Sequence, residues 1–427
     1  MMNFNDLDIL PEIKKSINEM GFKNPTPIQK MALPLALKAR DITAQAQTGS
    51  GKTLAFAIPI VDKIFIADKS PQAIILCPTR ELSVQVADEI ARVGLNVKKL
   101  KILAVYGGQP IGKQTRVLKK GVHIIVGTPG RVIDHINKGN LDLIGIESVV
   151  LDEADEMLDM GFRDDIEQIL SNTPRQRQTM LFSATMPMEI RKLAKKYQKN
   201  PKFIKIEDNN DNVPDITQIA FKTNPKYKFK DLLKLIDLYS IKSALIFSNT
   251  KNGVDFLHKQ LKKADFSVES LHGDMTQKTR DRVMNKFRNG NVRFLVATDV
   301  ASRGLDISNL NFIINYDVCS DYDSYIHRIG RTARAGKSGY ALTLVSKKDY
   351  RNFENINKKS KNKIVQKDIP SDDEMDKIKN QLIIDGLKKS SKVDNLKDYV
   401  NLVKENSSDD FTSEQMAAAL LKKVREN

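Results

Sequence analysis

Short apolar runs alternate with stretches of helical periodicity along most of the chain. The run Ser148–Leu151 is apolar, β-branched and too short for a helix, so it predicts a buried parallel strand. Similar runs recur between residues 74 and 126 and at residues 180–182. Further strand-like runs in the second half cover Ala244–Phe247, Phe294–Ala297, Phe312–Asn315 and residues 340–345. Because strands that alternate with helices form βαβ units, the pattern predicts an α/β fold built on parallel sheets.

A polar, acidic segment at residues 207–214 interrupts this alternation and ends in Pro214. Its composition is typical of a flexible linker. We therefore predict a first domain over residues 1–206, a linker over 207–215 and a second domain over 216–350. A chain of 427 residues exceeds one ordinary hydrophobic core, which agrees with two or three domains.

Residues 351–427 predict a helical extension that begins with a lysine-rich connector at residues 358–367. Ser371 and Glu374 form a capping-box pattern, and apolar residues at helical spacing follow it. Two further helices are predicted at residues 396–403 and 412–427. We expect these short helices to pack on the rest of the chain.

Three carboxylates follow the predicted strand Ser148–Leu151 directly, namely Asp152, Glu153 and Asp155. Open α/β sheets bind their ligands at the carboxyl ends of their strands. Like charges this close repel one another unless a cation lies among them. The cluster therefore predicts a cation-assisted site, with a solvated acidic turn as the alternative.

A glycine-rich segment that ends in Gly-Lys-Thr lies about a hundred residues upstream and precedes a helical pattern. Its small residues allow backbone N–H groups to surround phosphate oxygens at a helix N-terminus. Lys52 can reach the β- and γ-phosphates, which makes it a candidate catalytic residue, and the Thr53 hydroxyl can ligate Mg²⁺. The strict phosphate-loop pattern opens with glycine, where this chain has Ala46. Together with the acidic cluster, the segment predicts a nucleoside triphosphate site formed by Ala46, Gln47, Thr48, Gly49, Ser50, Gly51, Lys52 and Thr53.

The second half lacks a phosphate loop but carries His327 and three arginines at a spacing of three residues. On a helical turn this spacing places Arg328, Arg331 and Arg334 roughly on one side. Arginines opposite a γ-phosphate offset the charge that develops in the transition state. The alternative is an ordinary basic helix face on a basic protein.

The excess of basic over acidic residues indicates a polyanionic partner. The chain has 69 basic and 53 acidic residues, a formal charge of +16 and a pI of about 9.5. Lysine and arginine displace counterions from phosphate backbones, so nucleic acid is a plausible partner. Tryptophan is absent and aromatic residues make up only 6% of the chain, which argues against binding dominated by base stacking.

The compartment follows from what the sequence lacks. The two cysteines, Cys77 and Cys319, permit neither a disulfide framework nor a zinc pattern, which favours a reducing cytoplasm. Apolar runs stay below the roughly 18 residues that span a bilayer, so no membrane partner is expected. The first ten residues contain Asp6 and Asp8 and no basic region, unlike a signal peptide.

The tetrad Asp152-Glu153-Ala154-Asp155 resembles the signature of the DEAD-box ATP-dependent RNA helicases of superfamily 2. Other segments resemble that family's motifs in the family's order along roughly residues 1–350: residues 21–29 with Phe4 upstream, 78–82, 107–108, 128–131, 183–185, 246–250, 297–306 and 327–334. The resemblance implies two tandem RecA-like domains and an ATP-dependent RNA helicase. The chain also resembles bacterial cold-shock-type members of the family, which implies a stress response.

The resemblance implies that ATP is the nucleotide and that Mg²⁺ accompanies it. Gln29 offers an amide donor and an acceptor to the adenine edge, and Phe22 stacks on the ring. Thr26 and Pro27 also fit the start of a helix, as N-cap and first residue, so we expect the cap to position Gln29. From the second domain, the ribose contacts are assigned to Gly304 and Asp306.

The same resemblance divides the catalytic step between the two domains. Asp152 would hold Mg²⁺ through water, and Glu153 would orient and activate the attacking water. Arg331 and Arg334 would act as arginine fingers; between them the family usually has glycine where this chain has Ala333. The residues expected to couple the two domains are Asp155, Ser183, Thr185, His327 and Arg328.

Backbone contacts to RNA are also implied. Hydroxyls, charges and glycines that allow close approach suit phosphate and sugar rather than base edges, so we expect sequence-independent binding in which the 2′-OH distinguishes RNA from DNA. For each glycine the alternative is a simple turn. The residues concerned are Pro78, Thr79, Arg80, Gly107, Gly108, Thr128, Arg131, Thr250, Thr298 and Asp299.

Three functions remain open at this point. The first is an enzyme that unwinds RNA duplexes, the second is an ATP-gated RNA clamp, and the third is a DNA helicase, which the tetrad and Gln29 disfavour. Some relatives dimerise through a similar terminal segment, so homodimerisation is the rival to docking of the helical extension. Ribosome-assembly or RNA-decay proteins are further possible partners.

Overall fold

The computed structural model describes residues 3–46, 49–206, 216–302, 310–333, 338–360, 363–391, 396–408 and 410–426. The predicted linker, residues 207–215, lies outside this part of the chain. So do five predicted site residues, namely Gln47, Thr48, Gly304, Asp306 and Arg334. Among the described helices, none is long and apolar enough to cross a bilayer.

The first half contains a seven-stranded parallel sheet. Its strands are β1 (Ile42–Gln45), β2 (Ala73–Leu76), β3 (Ile102–Val105), β4 (Ile124–Gly127), β5 (Ser148–Leu151), β6 (Gln178–Ser183) and β7 (Lys202–Lys205). They are arranged in the order β3-β4-β2-β5-β6-β1-β7. Neighbouring residues of one strand, such as Ile74 and Ile75, enter different hydrophobic clusters on opposite faces of the sheet. Burial on both faces explains why these strands read as continuous apolar runs.

Helices cover both faces of this first sheet. They are α1 (Pro11–Glu19), α2 (Pro27–Leu37), α3 (Lys52–Lys63), α4 (Arg80–Val93), α5 (Ile111–Leu118), α6 (Pro129–Asn137), α7 (Ala154–Asp159), α8 (Arg163–Ser171) and α9 (Met188–Tyr197). A single 3₁₀ turn, Phe4–Asp6, precedes α1, and Phe4 is buried in the cluster that contains α3. Cys77 follows β2 and is a buried free thiol, as is Cys319 in the second half.

The second half repeats the architecture. Its strands are β8 (Ile216–Lys222), β9 (Ala244–Phe247), β10 (Val268–Leu271), β11 (Phe294–Ala297), β12 (Phe312–Asn315), β13 (Gly339–Val345) and β14 (Val365–Asp368). The order β10-β11-β9-β12-β13-β8-β14 is parallel throughout. The four strands predicted here are confirmed, and so is the α/β fold class of two parallel sheets.

The second-half helices are α10 (Lys228–Leu238), α11 (Lys251–Lys263), α12 (Gln277–Arg288), α13 (Asp299–Ser302), α14 (Tyr322–Ile329) and α15 (Tyr350–Lys359). Aliphatic and aromatic residues of α15, including Phe353 and Ile356, share a hydrophobic cluster with Ile329 of α14. The packed second half therefore continues past residue 350.

Strand β14 is the main departure from the expected helical extension. It begins in the segment predicted as a lysine-rich connector, ends one residue beyond it and pairs in parallel with β8, placing Val365 opposite Ile219. All four β14 residues are exposed. Main-chain pairing at the sheet edge holds this strand in place, so its side chains carry no apolar alternation that a sequence pattern could reveal.

Three helices follow, α16 (Asp372–Ser390), α17 (Leu396–Asn406) and α18 (Ser413–Glu426). The predicted capping box at the start of α16 is confirmed: Ser371 N–H donates to Glu374 Oε2 at 2.7 Å, and Glu374 N–H donates to Ser371 Oγ at 3.2 Å. Asp372 forms ion pairs with Lys230 and Lys234 of α10. These contacts join the start of the extension to the second half.

Candidate nucleotide and RNA site

Three predicted motifs meet at the carboxyl edge of the first sheet. Ala46 follows β1, Asp152 follows β5 and Ala184 follows β6, and β6 lies between the other two strands. Adjacent parallel strands bring their carboxyl ends together, so sequence separations of about a hundred residues become neighbouring loops. The fold thus assembles the phosphate loop, the acidic cluster and the Ser-Ala-Thr segment into one crevice.

The phosphate loop ends at the N-terminus of α3. Gly49 and Gly51 have φ angles of +82° and +89°, a left-handed conformation that glycine adopts without a steric penalty. Lys52 is buried, and its Nζ donates to the Ala46 carbonyl at 3.0 Å. The Lys52 side chain therefore reaches back to the end of β1, at the N-terminus of α3 where first-turn N–H groups can bind an anion.

Asp152 is the buried carboxylate of the crevice. Burial raises its pKa to about 7; the Lys52 ammonium opposes this shift and the neighbouring Glu153 adds to it. A bound cation would favour the ionised form of this carboxylate, so the donor set fits a divalent metal. Among the described residues no three His, Cys, Asp or Glu side chains are grouped to hold a metal. Mg²⁺ is typically held by one or two carboxylates together with phosphate and water oxygens.

Glu153 has a backbone conformation unusual for a residue with a side chain. Its φ is +51°, in the left-handed region, where it serves as N-cap of α7. Such a conformation costs about 1–2 kcal/mol in an L-residue. The sharp turn directs the chain away from β5 immediately after Asp152, whose Oδ1 accepts the Glu153 N–H at 3.1 Å.

Asp155, Ser183 and Thr185 form a hydrogen-bonded network within the first half. Asp155 Oδ2 accepts from Thr185 N–H at 2.8 Å and from Thr185 Oγ1 at 2.9 Å. The Asp155 N–H donates to Ser183 Oγ at 3.3 Å. This network ties the end of β6 to the first turn of α7, so a displacement of one shifts the other.

The adenine motif packs directly on the phosphate loop. The predicted helix start is confirmed, with Thr26 as N-cap of α2 and Pro27 in the first turn. Gln29 Oε1 accepts from Thr26 N–H at 2.8 Å, and Gln29 Nε2 donates to the Gly51 carbonyl at 2.9 Å. One amide hydrogen and one oxygen lone pair of Gln29 remain for a ligand. Phe22 nearby is 41% exposed, which leaves its ring available for stacking.

RNA candidates of the first half gather at the carboxyl ends of β2, β3 and β4. Thr79 caps α4 through Oγ1, which accepts from Leu82 N–H at 3.2 Å. A β-carbon at Gly107 would lie 3.3 Å from Arg80 Nη2. Arg131, near the start of α6, donates to the Gln109 carbonyl at 3.0 Å. Pro78, Gly108 and Thr128 lie in the same loops.

In the second half, two threonines occupy the corresponding edge. Thr250 follows β9 and caps α11, with Oγ1 accepting from Gly253 N–H at 3.0 Å. Thr298 follows β11 directly and is largely buried. Both edges therefore present hydroxyls at the ends of adjacent strands.

The expectation that Arg328 and Arg331 share one helical side is wrong, because α14 ends at Ile329. The Arg328 side chain is buried, and its Nε and Nη2 bind both carboxylate oxygens of Asp299 at 2.5 and 2.7 Å. Nη2 also donates to Asn249 Oδ1, and Nη1 to the Asp317 carbonyl, each at 2.7 Å. These contacts all lie within the second half and hold the Arg328 side chain in place. The interdomain role of Arg328 and the RNA contact of Asp299 stay predictions.

Arg331 follows the end of α14 and is largely buried. Two residues later, Ala333 has a φ of +55°, a conformation that glycine adopts more readily. This backbone angle is a physical reason why glycine is the usual residue at that position of the family.

Among the described residues, two ion pairs join the two halves, and the sequence motifs did not predict either pairing. His327 Nδ1 lies 2.6 Å from Glu156 Oε1, which makes Glu156 a direct partner of His327 across the two halves. Arg280 of α12 binds Glu81 Oε1 through Nε at 3.1 Å and Nη2 at 2.8 Å. Both pairs bring second-half side chains to the carboxyl edge of the first sheet.

Comparison with known proteins identifies the family. A DEAD/DEAH box helicase model matches residues 26–193, and a helicase conserved C-terminal domain model matches residues 227–336. The chain is 43% identical over 426 residues to the DEAD-box ATP-dependent RNA helicase CshA of Geobacillus kaustophilus, covering 100% of this chain and 91% of that protein. The corresponding match to CshA of Bacillus subtilis is 42% over 425 residues, covering 100% and 86%. The chain belongs to the DEAD-box ATP-dependent RNA helicases.

Solved structures agree with this assignment. The DEAD-box helicase described here is similar to Saccharomyces cerevisiae Dbp5 bound to RNA and ADP BeF3, with a TM-score of 0.78 and 34% identity over 88% of this chain and 98% of that chain. It is also similar to a DEAD box protein from Methanococcus jannaschii, with a TM-score of 0.50 and 43% identity over 86% and 99%. The two sheets are therefore those of tandem RecA-like domains.

One further residue of the DEAD-box nucleotide site escaped the sequence motifs. Glu89 of α4 is hydrogen-bonded to the Thr53 side chain, and its charge acts on Asp152. Burial raises the pKa of Glu89, and the Thr53 hydrogen bond lowers it in part. In the sequence Glu89 is simply an acidic position in an amphipathic helix, so only the packing of α4 on α3 reveals it.

We expect the Arg280–Glu81 pair to stabilise the closed arrangement of the DEAD-box helicase. Arg280→Glu and Glu81→Arg should each lower RNA-stimulated ATPase about tenfold, equivalent to about 1.4 kcal/mol, because each leaves like charges in contact. The exchanged double variant should recover part of the loss. Recovery stays incomplete because Arg280 Nη2 also donates to the Ala301 carbonyl at 3.1 Å.

The matched control is Lys286→Ala, which removes the Lys286–Glu269 pair at 2.6 Å inside the second half. This variant should leave fluorescence energy transfer between labels on the two domains unchanged. Additive losses in the double charge-exchange variant would contradict direct coupling between Glu81 and Arg280.

The His327–Glu156 pair makes closure depend on pH. Burial lowers the pKa of His327, but the hydrogen bond to Glu156 and the charges of Glu156, Asp155 and Glu153 outweigh burial and raise it above 6.5. Protonated His327 therefore favours the closed arrangement. Its contribution is complete below the ordinary pKa and is lost as pH rises through the raised value.

We expect interdomain energy transfer in the presence of ATP and RNA to fall across that alkaline range. In His327→Gln, energy transfer should no longer fall across this alkaline range, while any pH dependence outside it should remain. An alkaline limb that survives unchanged in His327→Gln would show that another group controls it.

Proposed function

We propose that this DEAD-box helicase hydrolyses ATP only when its two domains close, and that closure separates short RNA duplexes without reading their sequence. The observation that carries the proposal is the contact of His327 with Glu156, three residues beyond Glu153. It brings the segment that contains Arg331 toward the catalytic carboxylates. If hydrolysis requires domain closure, we expect it to occur only when ATP and RNA are both bound.

In this proposal the first domain binds the nucleotide. Phe22 and Gln29, held by the Thr26 cap, contact adenine, and the loop from Ala46 to Thr53 surrounds the phosphates. Thr53 and Asp152 would hold Mg²⁺, which would offset phosphate charge. Glu153 orients the attacking water and accepts its proton.

The second domain completes the site. Arg331 and Arg334 stabilise charge on the transferred phosphoryl group, and Gly304 and Asp306 contact the ribose. The Asp155–Ser183–Thr185 network connects the catalytic loop to the end of β6. Hydrolysis then weakens closure, which releases the RNA.

RNA crosses the carboxyl edges of both sheets. Arg80 and Arg131 contact phosphates from the first domain, and Thr250 and Thr298 from the second. Backbone groups near Gly107 add N–H donors to this path. Because these groups address phosphate and sugar, the affinity should fall with salt and vary little with sequence.

Two measurements test the function. ATPase stimulation by a single-stranded RNA and by the DNA of the same sequence should differ strongly in favour of RNA, and equal stimulation would support the DNA helicase instead. Release of a labelled strand from a short RNA duplex at catalytic protein concentration should require ATP. Tight ATP-dependent RNA binding without strand release would support the clamp.

We also propose that the helical extension forms a homodimer. Its helices expose several large apolar side chains, namely Leu387, Leu396, Tyr399, Leu402 and Leu420. Light scattering should give twice the chain mass for the wild type and the chain mass for a Tyr399→Asp, Leu402→Asp variant. A monomeric wild type would overturn this proposal.

The cytoplasm is the proposed compartment. Two buried free thiols, Cys77 and Cys319, are compatible with a reducing environment. Fractionation of cells that express the tagged chain would place it.

A further inference from the structure

A groove of about 650 Å³ lies at the edge of the first sheet, remote from the nucleotide crevice. It passes between the C-terminal ends of α4 and α5 and crosses the start of β3. Apolar residues, among them Leu95, Ile102 and Val117, form its floor, and Lys98, Lys99, Lys101 and Lys120 surround it. We call this feature the edge groove. Its volume lies within the roughly 300–1,000 Å³ typical of ligand sites.

The floor of the edge groove exposes aliphatic surface. Leu95 is 70% exposed, Val117 is 41% exposed and Ile102 is half-buried. Single exposed aliphatic residues are ordinary on protein surfaces, but several that line one concavity form an interaction patch. The floor therefore favours an occupant with apolar side chains.

The rim is uniformly positive. Lys98, Lys99 and Lys120 are exposed, and within the described chain no carboxylate forms an ion pair with them. Lys101 Nζ donates to the Lys120 carbonyl at 3.0 Å, which holds its charge at the groove. With no acidic residue in the lining, charge complementarity selects an occupant rich in carboxylates.

Compensation of helix dipoles does not account for these lysines. Cations stabilise a helix C-terminus mainly within its last turn. Arg92 already occupies the last turn of α4 and Arg116 that of α5. Lys98, Lys99 and Lys101 lie beyond the end of α4.

The sheet edge supplies a third element of recognition. Strand β3 is at the end of the sheet order and pairs with β4. In the described sheet, the other side of β3 has no strand partner. An extended peptide can add to such an edge through main-chain hydrogen bonds and place alternate side chains in an adjoining groove.

RNA fits the edge groove less well. Its lining contains neither an aromatic ring nor an arginine, so bases would find no stacking partner. The groove also lies at the start of β3, whereas Gly107 and Gly108 follow its end. We propose that the edge groove binds an extended, acidic segment of a partner protein whose apolar side chains alternate with carboxylates.

The test uses the full chain and a display library of short peptides in which Asp or Glu alternates with Leu, Ile or Phe. An enriched peptide, labelled with fluorescein, is titrated with each variant by fluorescence anisotropy. Leu95→Asp and the pair Lys98→Glu, Lys99→Glu should each weaken binding at least about tenfold, since each removes one half of the recognition. Val117→Lys serves as the second floor variant if Leu95→Asp does not fold.

The matched control is the pair Lys192→Glu, Lys195→Glu on α9, which changes the net charge equally and should leave peptide binding intact. RNA-stimulated ATPase should be unchanged in all these variants, because the groove is separate from the helicase site. Replacing the carboxylates of the peptide by amides should abolish its binding.

Four results would overturn the proposal. The first is that no peptide is enriched, and the second is that the α9 control loses binding equally. The third is that a short oligouridylate displaces the peptide. The fourth is that the groove-lysine variants have a lower melting temperature but bind the peptide normally. The third would assign the groove to RNA and the fourth would make the lysines structural.

Discussion

Glu153→Gln is expected to lower RNA-stimulated ATP turnover by about 10²–10⁴-fold, the usual contribution of a positioned general base. The amide has the shape of the carboxylate but cannot accept the proton of the attacking water. Because Glu153 already has a φ of +51°, an isosteric replacement also avoids any new backbone strain. Single-turnover hydrolysis measured with saturating RNA reports the chemical step directly.

Binding should survive this substitution. Lys52, Thr53 and Gln29 remain in place, so affinity for an ATP analogue and for RNA should stay near that of the wild type. Glu189→Gln, at the exposed start of α9, is the control for loss of one negative charge. Normal turnover in Glu153→Gln would refute the role assigned to Glu153.

Arg331→Ala is expected to lower turnover by about 10³–10⁵-fold, the range measured when an arginine finger is lost. The side chain belongs to the second domain, so its removal should affect hydrolysis only in the closed arrangement. Nucleotide binding to the first domain should change little. The comparison of single-turnover rate with ATP affinity separates these two effects.

Arg331→Lys tests the geometry of the contact. Lysine keeps the charge but lacks the planar fork that binds two phosphate oxygens, so only a small part of the rate should return. Arg351→Ala, on the exposed side of α15, is the control for loss of an arginine from the same domain. A rate in Arg331→Ala within a few-fold of the wild type would contradict the finger assignment.

Closure also explains why so many charged groups lie between the domains. Glu81, Glu156 and Glu153 lie along one edge of the first sheet, and Arg280 and His327 approach from the second. An ion pair between partly exposed groups contributes only modestly by itself. In the proposed mechanism, several such pairs form together with ligand binding, and we expect them to make the closed state depend on both ATP and RNA.

The sequence by itself determined the parts of this protein that depend on neighbouring residues. The phosphate loop, the acidic tetrad and the caps at Thr26 and Ser371 are each built from residues within one or two turns of each other. Local hydrogen bonds and backbone preferences determine the conformation of these segments, so residue type and spacing were sufficient to predict them. The buried strands β5, β9, β11 and β12 followed for a similar reason, since burial on two faces leaves an apolar run.

Tertiary structure alone decided the rest, because contacts between distant residues depend on how the whole chain packs. Arg280 and Glu81 are 199 residues apart, and nothing near either one specifies the other. The spacing of Arg328 and Arg331 predicted that they share one side of a helix. In the structure α14 ends between them, and the buried Arg328 side chain binds Asp299. Strand β14 is exposed along its whole length, so its sequence has no apolar pattern that predicts a strand. The edge groove forms only because the fold brings the ends of α4 and α5 together beside β3. Residue chemistry states what a side chain can bind, and the fold decides which partner it meets.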